Sequence, residues 1–129
     1  MVGADVSVAS LSAGNPKSSS LYRHCARLRN YNNPLDNALS ISAVKRIGVA
    51  TRAGRRGLEL PLHDKVADVH CGGYYENRFR DESFSHGHTW YFDDQHFLQD
   101  AYLTICGEID RASIPTHTKT RDGGLALRV

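Results

Sequence analysis

The residues best suited to chemistry lie in the stretch 57–92. It holds one of the three cysteines and four of the seven histidines, among them His63, His86 and His88. Imidazole titrates near neutral pH, so histidines serve both as general bases and as metal ligands. Acidic and amide side chains lie among them, and such mixtures are typical of hydrolytic and metal-binding sites. This stretch is therefore the first candidate for a functional site.

The order of residues over positions 55–88 resembles the motif of the HNH nucleases, particularly the colicin type. Glu59, the run His63-Asp64-Lys65, the pair Gly72-Gly73, Asn77 and His86 stand where that motif has its acid, base, turn, central Asn and a metal-ligand His. The resemblance implies a metal-dependent phosphodiesterase with a divalent cation, zinc or magnesium. His63 would take a proton from the attacking water, Asn77 would orient the loop that carries it, and His86 would bind the metal.

Two positions depart from the pattern of that family. Leu62 stands where the family has the first of two adjacent histidines, and Trp90 stands where it has the last metal ligand. His88 replaces the missing ligand only if its segment is extended, because residues i and i+2 share a face on a strand but diverge on a helix. The metal site therefore depends on a strand at residues 88–92.

A second hypothesis keeps the metal and omits catalysis. Cys71, His86 and His88, completed by His70 or His96, are the residue types that hold structural zinc. Such a site would join the segment around Cys71 to the one that follows it and stabilise a small binding module.

The distribution of charge leads to a third hypothesis, nucleic-acid binding. The formal net charge is only +2, yet Asp36 is the single acid in residues 17–56. Clustered positive charge attracts phosphates, and aromatic rings beside it can stack on bases. Both DNA and RNA fit this pattern. The proposed phosphate contacts are Arg23, Arg27, Arg29, Lys45, Arg46, Arg52, Arg55 and Arg56.

The excess of acids in residues 59–110 leaves a fourth hypothesis open, a small adaptor or inhibitor that binds another protein. Composition separates none of the four, since 40% apolar and 23% charged residues are ordinary for a globular domain. Three distant cysteines argue against a disulfide framework. No secretory signal or membrane span is recognisable, so a cytoplasmic or nuclear protein is expected.

The local patterns predict an α+β fold with a flexible arm at residues 1–18 and one domain over residues 19–129. Ser19 or Ser20 is placed to cap a first helix over residues 21–30. Asn33-Pro34 begins a second helix that Gly48 ends, although alternation at residues 39–43 leaves a strand as its rival. The two N-terminal helices are expected to pack on a mostly antiparallel sheet of four or five strands.

The strongest local prediction is a central β-hairpin, in which Gly72-Gly73 joins strands at residues 66–71 and 74–80. Further strands are predicted at residues 58–62 and 88–92. Asp93-Asp94 is placed to cap a helix. Residues 102–109 are predicted as a strand, with a continuation of that helix as the alternative, and the polar tail from residue 111 is expected on the surface.

Overall fold

The computed structural model describes residues 1–45 and 50–129, with 42–45 described by backbone alone, and has an α+β fold. In chain order its elements are α1 (Val8–Leu11), α2 (Pro16–His24), β1 (Leu28–Asn32), α3 (Asn37–Lys45), α4 (Ala53–Arg56), β2 (Val66–His70), α5 (Gly72–Phe79), α6 (His86–Thr89), α7 (Gln95–Cys106), β3 (His117–Lys119) and β4 (Leu125–Leu127). A 3₁₀ turn, Trp90–Phe92, connects α6 to α7.

The four strands form one mixed sheet in the order β1-β2-β4-β3. β1 and β2 are parallel, as are β2 and β4, and only β3 and β4 are antiparallel. The prediction of four or five strands is confirmed, and the prediction of a mostly antiparallel sheet is wrong. Parallel neighbours bring their carboxyl ends to the same edge of the sheet, where sites commonly form.

The first helix and first strand differ from the prediction of a helix over residues 21–30. The helix begins earlier, at Pro16, because the side chain of Asn15 accepts a hydrogen bond from the N–H of Lys17 at 2.8 Å. It ends at His24, and after three intervening residues the chain enters the sheet as β1, whose five residues are all buried. Asparagine is unfavourable in the interior of a helix. Here the side chains of Asn30 and Asn32 donate hydrogen bonds to Asp68 on the neighbouring strand.

The predicted hairpin at Gly72-Gly73 is wrong, because the glycine pair begins helix α5 directly after β2. A Cβ on Gly72 would lie 2.9 Å from Cδ of Pro34, so a residue without a side chain fits this close approach. Tyr75 and Phe79 are one helical turn apart, and their rings pack with centroids 5.5 Å apart. That helical spacing outweighs the turn preference of two glycines.

The one hairpin of the described residues lies near the C-terminal end instead. β3 and β4 pair antiparallel across a turn that contains Gly123, whose φ is +83°. The tail is therefore part of the sheet, and Leu127 is buried in the core. Val69 of β2 pairs with Leu125 of β4, which places the tail beside the central strand.

Three other predicted strands are not strands. Residues 58–62 form a loop in which Leu60 is 83% exposed. Residues 88–92 belong to α6 and the 3₁₀ turn, and residues 102–106 continue α7, which was the alternative. Asp94 caps α7 as predicted by accepting from the N–H of Phe97 at 2.7 Å, and Gly107 ends it at φ +72°.

One face of the sheet packs on an aromatic core. Tyr31 of β1 and Val69 of β2 form one buried cluster with Trp90, Tyr91 and Phe97, all buried to within 3% exposure. Burying a side chain of this size contributes about 1.5–3 kcal/mol each. The core therefore packs the segment that contains Trp90 and Tyr91 against the sheet, and this limits where His86 and His88 can lie.

Residues 1–18, expected as a flexible arm, lie along β1 and α4. Val2 forms a parallel bridge to Tyr31, and the N–H of Tyr31 donates to the carbonyl of Met1 at 3.0 Å. Val8 and Leu11 are buried beside Ala53 of α4. These contacts bring the N-terminal segment next to the carboxyl edge of the sheet.

Candidate acid–base site

Asp36 occupies the loop that leaves the carboxyl end of β1. Its Oδ1 accepts from the N–H of Leu39 at 3.1 Å, so it caps α3, and the side chain is fully buried. The predicted cap, Asn33, lies three residues earlier and accepts from the N–H of Leu35 instead. α3 is helical over residues 39–43, so the rival strand is excluded, and its expected end at Gly48 lies outside the described residues.

His88 is carried to Asp36 by the short helix α6. The side-chain N–H of Asn33 donates to the carbonyl of Gly87 at 3.1 Å, which ties α6 to the loop after β1. A Cβ on Gly87 would lie 2.5 Å from the carbonyl oxygen of Leu35, so only glycine allows this approach. The sequence Gly87-His88 thus places an imidazole directly beside the buried carboxylate.

The ring of His88 and the carboxylate of Asp36 form a tight pair. Nδ1 of His88 lies 2.7 Å from Oδ2 of Asp36, and the His88 side chain is 40% exposed while that of Asp36 is 0% exposed. A carboxylate only accepts, so Nδ1 carries a proton and the neutral ring keeps a lone pair on Nε2. In the described part of the chain no side chain hydrogen bonds to Nε2, so this nitrogen is open to a reactant.

Gly3 packs against the same ring. Its φ is +52°, and a Cβ added there would lie 3.1 Å from Cε1 of His88 and 3.7 Å from Oδ2 of Asp36. A glycine therefore lets the N-terminal segment close over the pair without pushing the imidazole away.

A second histidine–aspartate pair has a different role. Nε2 of His117 lies 2.6 Å from Oδ1 of Asp100, but both side chains are buried to within 1% exposure. Asp100 also accepts from the hydroxyls of Tyr31, at 2.5 Å, and Thr116. This pair joins α7 to β1 and β3 inside the core and cannot touch a substrate, whereas the Asp36–His88 pair can.

The predicted catalytic residues lie elsewhere. His63 precedes the amino end of β2, where its ring stacks on Tyr22 with centroids 4.4 Å apart and its Nδ1 lies 2.6 Å from Oδ1 of Asp64. Asn77 is exposed on α5. His88 contacts Asp36 beyond the carboxyl end of β1, the parallel neighbour of β2, and five residues of strand span about 17 Å. His63 and His88 therefore lie at opposite ends of β2.

The predicted metal ligands do not converge either. Nδ1 of His86 pairs with the hydroxyl of Tyr75 at 3.2 Å, and His88 pairs with Asp36. Cys71 is fully buried, and burial raises the pKa of its thiol well above the ordinary value, which disfavours the thiolate that zinc binds. Neither His70 nor His96 completes a set: across residues 1–45 and 50–129 no group of three or more His, Cys, Asp or Glu side chains is placed to hold a metal ion.

The arginines proposed to contact phosphates are split between core and surface. Arg29 is 5% exposed and lies against His117, and Arg52 is 6% exposed and pairs with Asp5 at 3.0 Å. Arg23, Arg27 and Arg56 are exposed, and Arg55 is half-buried. Arg46 and the side chain of Lys45 lie outside the described residues.

Sequence reasoning missed Asp36, although a signal was present. It is the single acid in the forty residues from 17 to 56, and a lone acid in a basic stretch has a specific reason to be there. That reason is its buried position, which a charge occupies only when it is well bonded.

No family model matches the chain, and no curated protein or solved structure matches it significantly. None of the described helices combines the length and the hydropathy needed to cross a bilayer.

Proposed function

We propose that the chain is a hydrolytic domain in which Asp36 and His88 act as the acid–base pair that cleaves an ester or amide bond. The 2.7 Å contact between a buried carboxylate and a half-exposed imidazole carries this proposal. In Ser–His–Asp sites a buried aspartate holds the imidazole in one tautomer, and the free Nε2 moves the proton. The pair has the burial, the distance and the free nitrogen that these roles require.

The position of the pair in the fold supports the same reading. Asp36 lies in the loop after β1 and His88 contacts it, so the pair lies beyond the carboxyl end of β1, at the edge that β1 shares with its parallel neighbour β2. Ligands of open sheets with parallel strands bind at that edge. The acid also precedes the histidine along the chain, as in the α/β-hydrolases.

The reaction assigned to the pair has two proton transfers. Nε2 of His88 takes a proton as an oxygen nucleophile attacks the carbonyl carbon, and the resulting imidazolium gives that proton to the leaving oxygen or nitrogen. Asp36 stabilises the imidazolium and holds its orientation. Because no hydroxyl or thiol of the described residues donates to Nε2, we assign the nucleophile in this chain to water.

The test compares two variants on two substrates. Wild-type protein, His88→Ala and His63→Ala are assayed for hydrolysis of p-nitrophenyl butyrate and for nicking of supercoiled DNA with magnesium or EDTA. We expect His88→Ala to lower the ester rate by about 10²–10⁴-fold, the contribution of a general base. The matched control His63→Ala keeps the wild-type ester rate.

Two results would redirect the assignment. Equal ester rates in wild type and His88→Ala contradict the acid–base role. Magnesium-dependent nicking that His63→Ala abolishes and His88→Ala leaves intact would favour the HNH hypothesis instead, which stays a prediction.

A further inference from the structure

A separate cavity of about 310 Å³ opens between the loop at residues 58–62 and the turn that joins β3 to β4. Leu58, Leu60 and Leu62 form its apolar wall, and His70 and Asp122 supply polar groups. This volume lies at the lower end of the range for small-molecule pockets, which are mostly apolar with a few placed polar groups. Neither Asp36 nor His88 lines the cavity, so it is distinct from the proposed acid–base site.

The hydrogen bonds behind His70 determine what its ring offers to the cavity. The side-chain N–H of Asn32 donates to Oδ1 of Asp68 at 3.1 Å, since a carboxylate can only accept. The amide oxygen of Asn32 therefore faces His70, whose Nδ1 lies 3.0 Å away. An amide oxygen also only accepts, so Nδ1 carries the proton and the neutral ring presents Nε2 as an acceptor.

This support is built into the fold. Asn32 is 1% exposed, and Oδ1 of Asp68 also accepts from the side chain of Asn30 at 2.7 Å. The second oxygen of Asp68 accepts from the N–H of Leu58 at 2.8 Å, which fixes the apolar wall to the same carboxylate. Hydrogen bonds from Asp68 through Asn32 thus orient the ring of His70. Both oxygens of the Asp68 carboxylate already accept hydrogen bonds from the protein.

The charge that remains open to the cavity is that of Asp122. Its Oδ1 accepts from the hydroxyl of Thr120 at 2.5 Å, which holds the carboxylate on the turn beside Gly124. Cδ2 of His70 lies 3.9 Å from the position that a Cβ on Gly124 would take, so the ring lies beside the turn. An acceptor nitrogen and a carboxylate that line the same cavity favour a cationic donor and disfavour an anion.

We infer that this cavity binds a small primary ammonium compound with a short apolar chain. The ammonium group donates a hydrogen bond to Nε2 of His70 and lies near the carboxylate of Asp122. The apolar chain lies against Leu58 and Leu62. Gly123 and Gly124 leave room for the ligand because they carry no side chains.

The probes that test this inference share one six-carbon chain and differ in the head group: hexylammonium, 1-hexanol and hexanoate. Each is titrated into the full chain at pH 8 while the amide signals of Gly123 and Gly124 are followed by NMR. We expect hexylammonium to bind most tightly, hexanol less, and hexanoate least. We also expect His70→Phe to weaken hexylammonium binding by about tenfold, as for loss of one hydrogen bond to a charged group.

Two further variants keep the inference falsifiable if His70→Phe fails to fold. Asp122→Asn changes an exposed side chain and should reduce the preference for hexylammonium over hexanol, whereas His63→Phe, outside the cavity, should leave all three affinities unchanged. Equal affinities for the three head groups, no shifts at the two glycines, or hexylammonium binding that Asp122→Asn leaves unaltered would each overturn the inference.

Discussion

Asp36 and His88 are 52 positions apart in the sequence, yet Oδ2 of Asp36 and Nδ1 of His88 are 2.7 Å apart in the fold. Their contact depends on two others, the hydrogen bond from Asn33 to the carbonyl of Gly87 and the capping bond from Leu39 to Asp36. The loop after β1 and the helix α6 therefore form one unit, and changes to either should move the pair.

Asp36→Asn should change the tautomer of His88. The amide group of Asn donates as well as accepts, so the ring is no longer held with its proton on Nδ1. Because Asp36 acts through His88, ester hydrolysis should fall by about as much as in His88→Ala, on the order of 10²–10⁴-fold, and by no more. ¹⁵N NMR of the two ring nitrogens checks the tautomer directly. Asp93→Asn, at an exposed position, is the control, and an unchanged ring spectrum in Asp36→Asn would contradict the assignment.

Gly87→Ala should separate His88 from Asp36. The added Cβ would lie 2.5 Å from the carbonyl oxygen of Leu35, and backbone must move to relieve that contact. We expect loss of His88-dependent hydrolysis and a free energy of unfolding lower by about 1–3 kcal/mol, as for overpacking.

Gly73→Ala is the matched control for Gly87→Ala. A Cβ at Gly73 meets nothing within 4 Å, and the residue lies in α5. Alanine there should raise stability by about 0.5–1 kcal/mol. A large loss of stability at residue 73 would argue for a tight turn at this position and against the helix.

Asp100→Ala should destabilise the fold strongly. It removes the acceptor that His117, Tyr31 and Thr116 share in the core. Breaking a buried pair of this kind costs about 3–5 kcal/mol. Urea unfolding measures the loss, and Asp93→Ala, at an exposed position, should stay within about 0.5 kcal/mol of wild type.

The carboxylate of Asp100 also makes the stability of the fold depend on pH. Burial raises the pKa of Asp100, but hydrogen bonds from His117, Thr116 and Tyr31 outweigh it and hold that pKa below its ordinary value. A carboxyl with a depressed folded-state pKa stabilises the fold above its unfolded pKa, about 3.9, and loses that contribution as pH falls through the folded value. The difference in unfolding free energy between wild type and Asp100→Asn should therefore shrink below about pH 4. A difference that persists unchanged to about pH 2 would show that the charge contributes little.

Nucleic-acid binding stays a prediction, and the exposed arginines are the residues at which it can be tested. If Arg23 and Arg56 contact phosphates, replacing each with Gln should reduce the slope of log affinity against log salt by about 0.7–0.9. Arg29 and Arg52 are buried, so they serve as positions where substitution tests the fold instead. Affinity independent of salt would contradict phosphate binding.

Local sequence determined the elements whose signals lie within a few residues. Asp94 caps α7 and Val66–His70 forms a strand, both as predicted, and residues 39–43 are helical as preferred, although Asp36 and not Asn33 caps that helix. Each of these elements depends on a capping residue or on the spacing of apolar residues, and both signals involve residues that are close together in the sequence. The α+β class followed from the same patterns.

Tertiary packing decided the rest, and the two glycine pairs show why. Both Gly72-Gly73 and Gly123-Gly124 permit a turn, but only the second joins two strands, because the rings after the first pair pack at helical spacing against the core. The candidate site was hidden for a related reason. The pair of a buried carboxylate and an imidazole is recognisable only after parallel strands have brought the two loops to one edge of the sheet. Strand pairing between residues so far apart in the sequence leaves no local pattern in the chain.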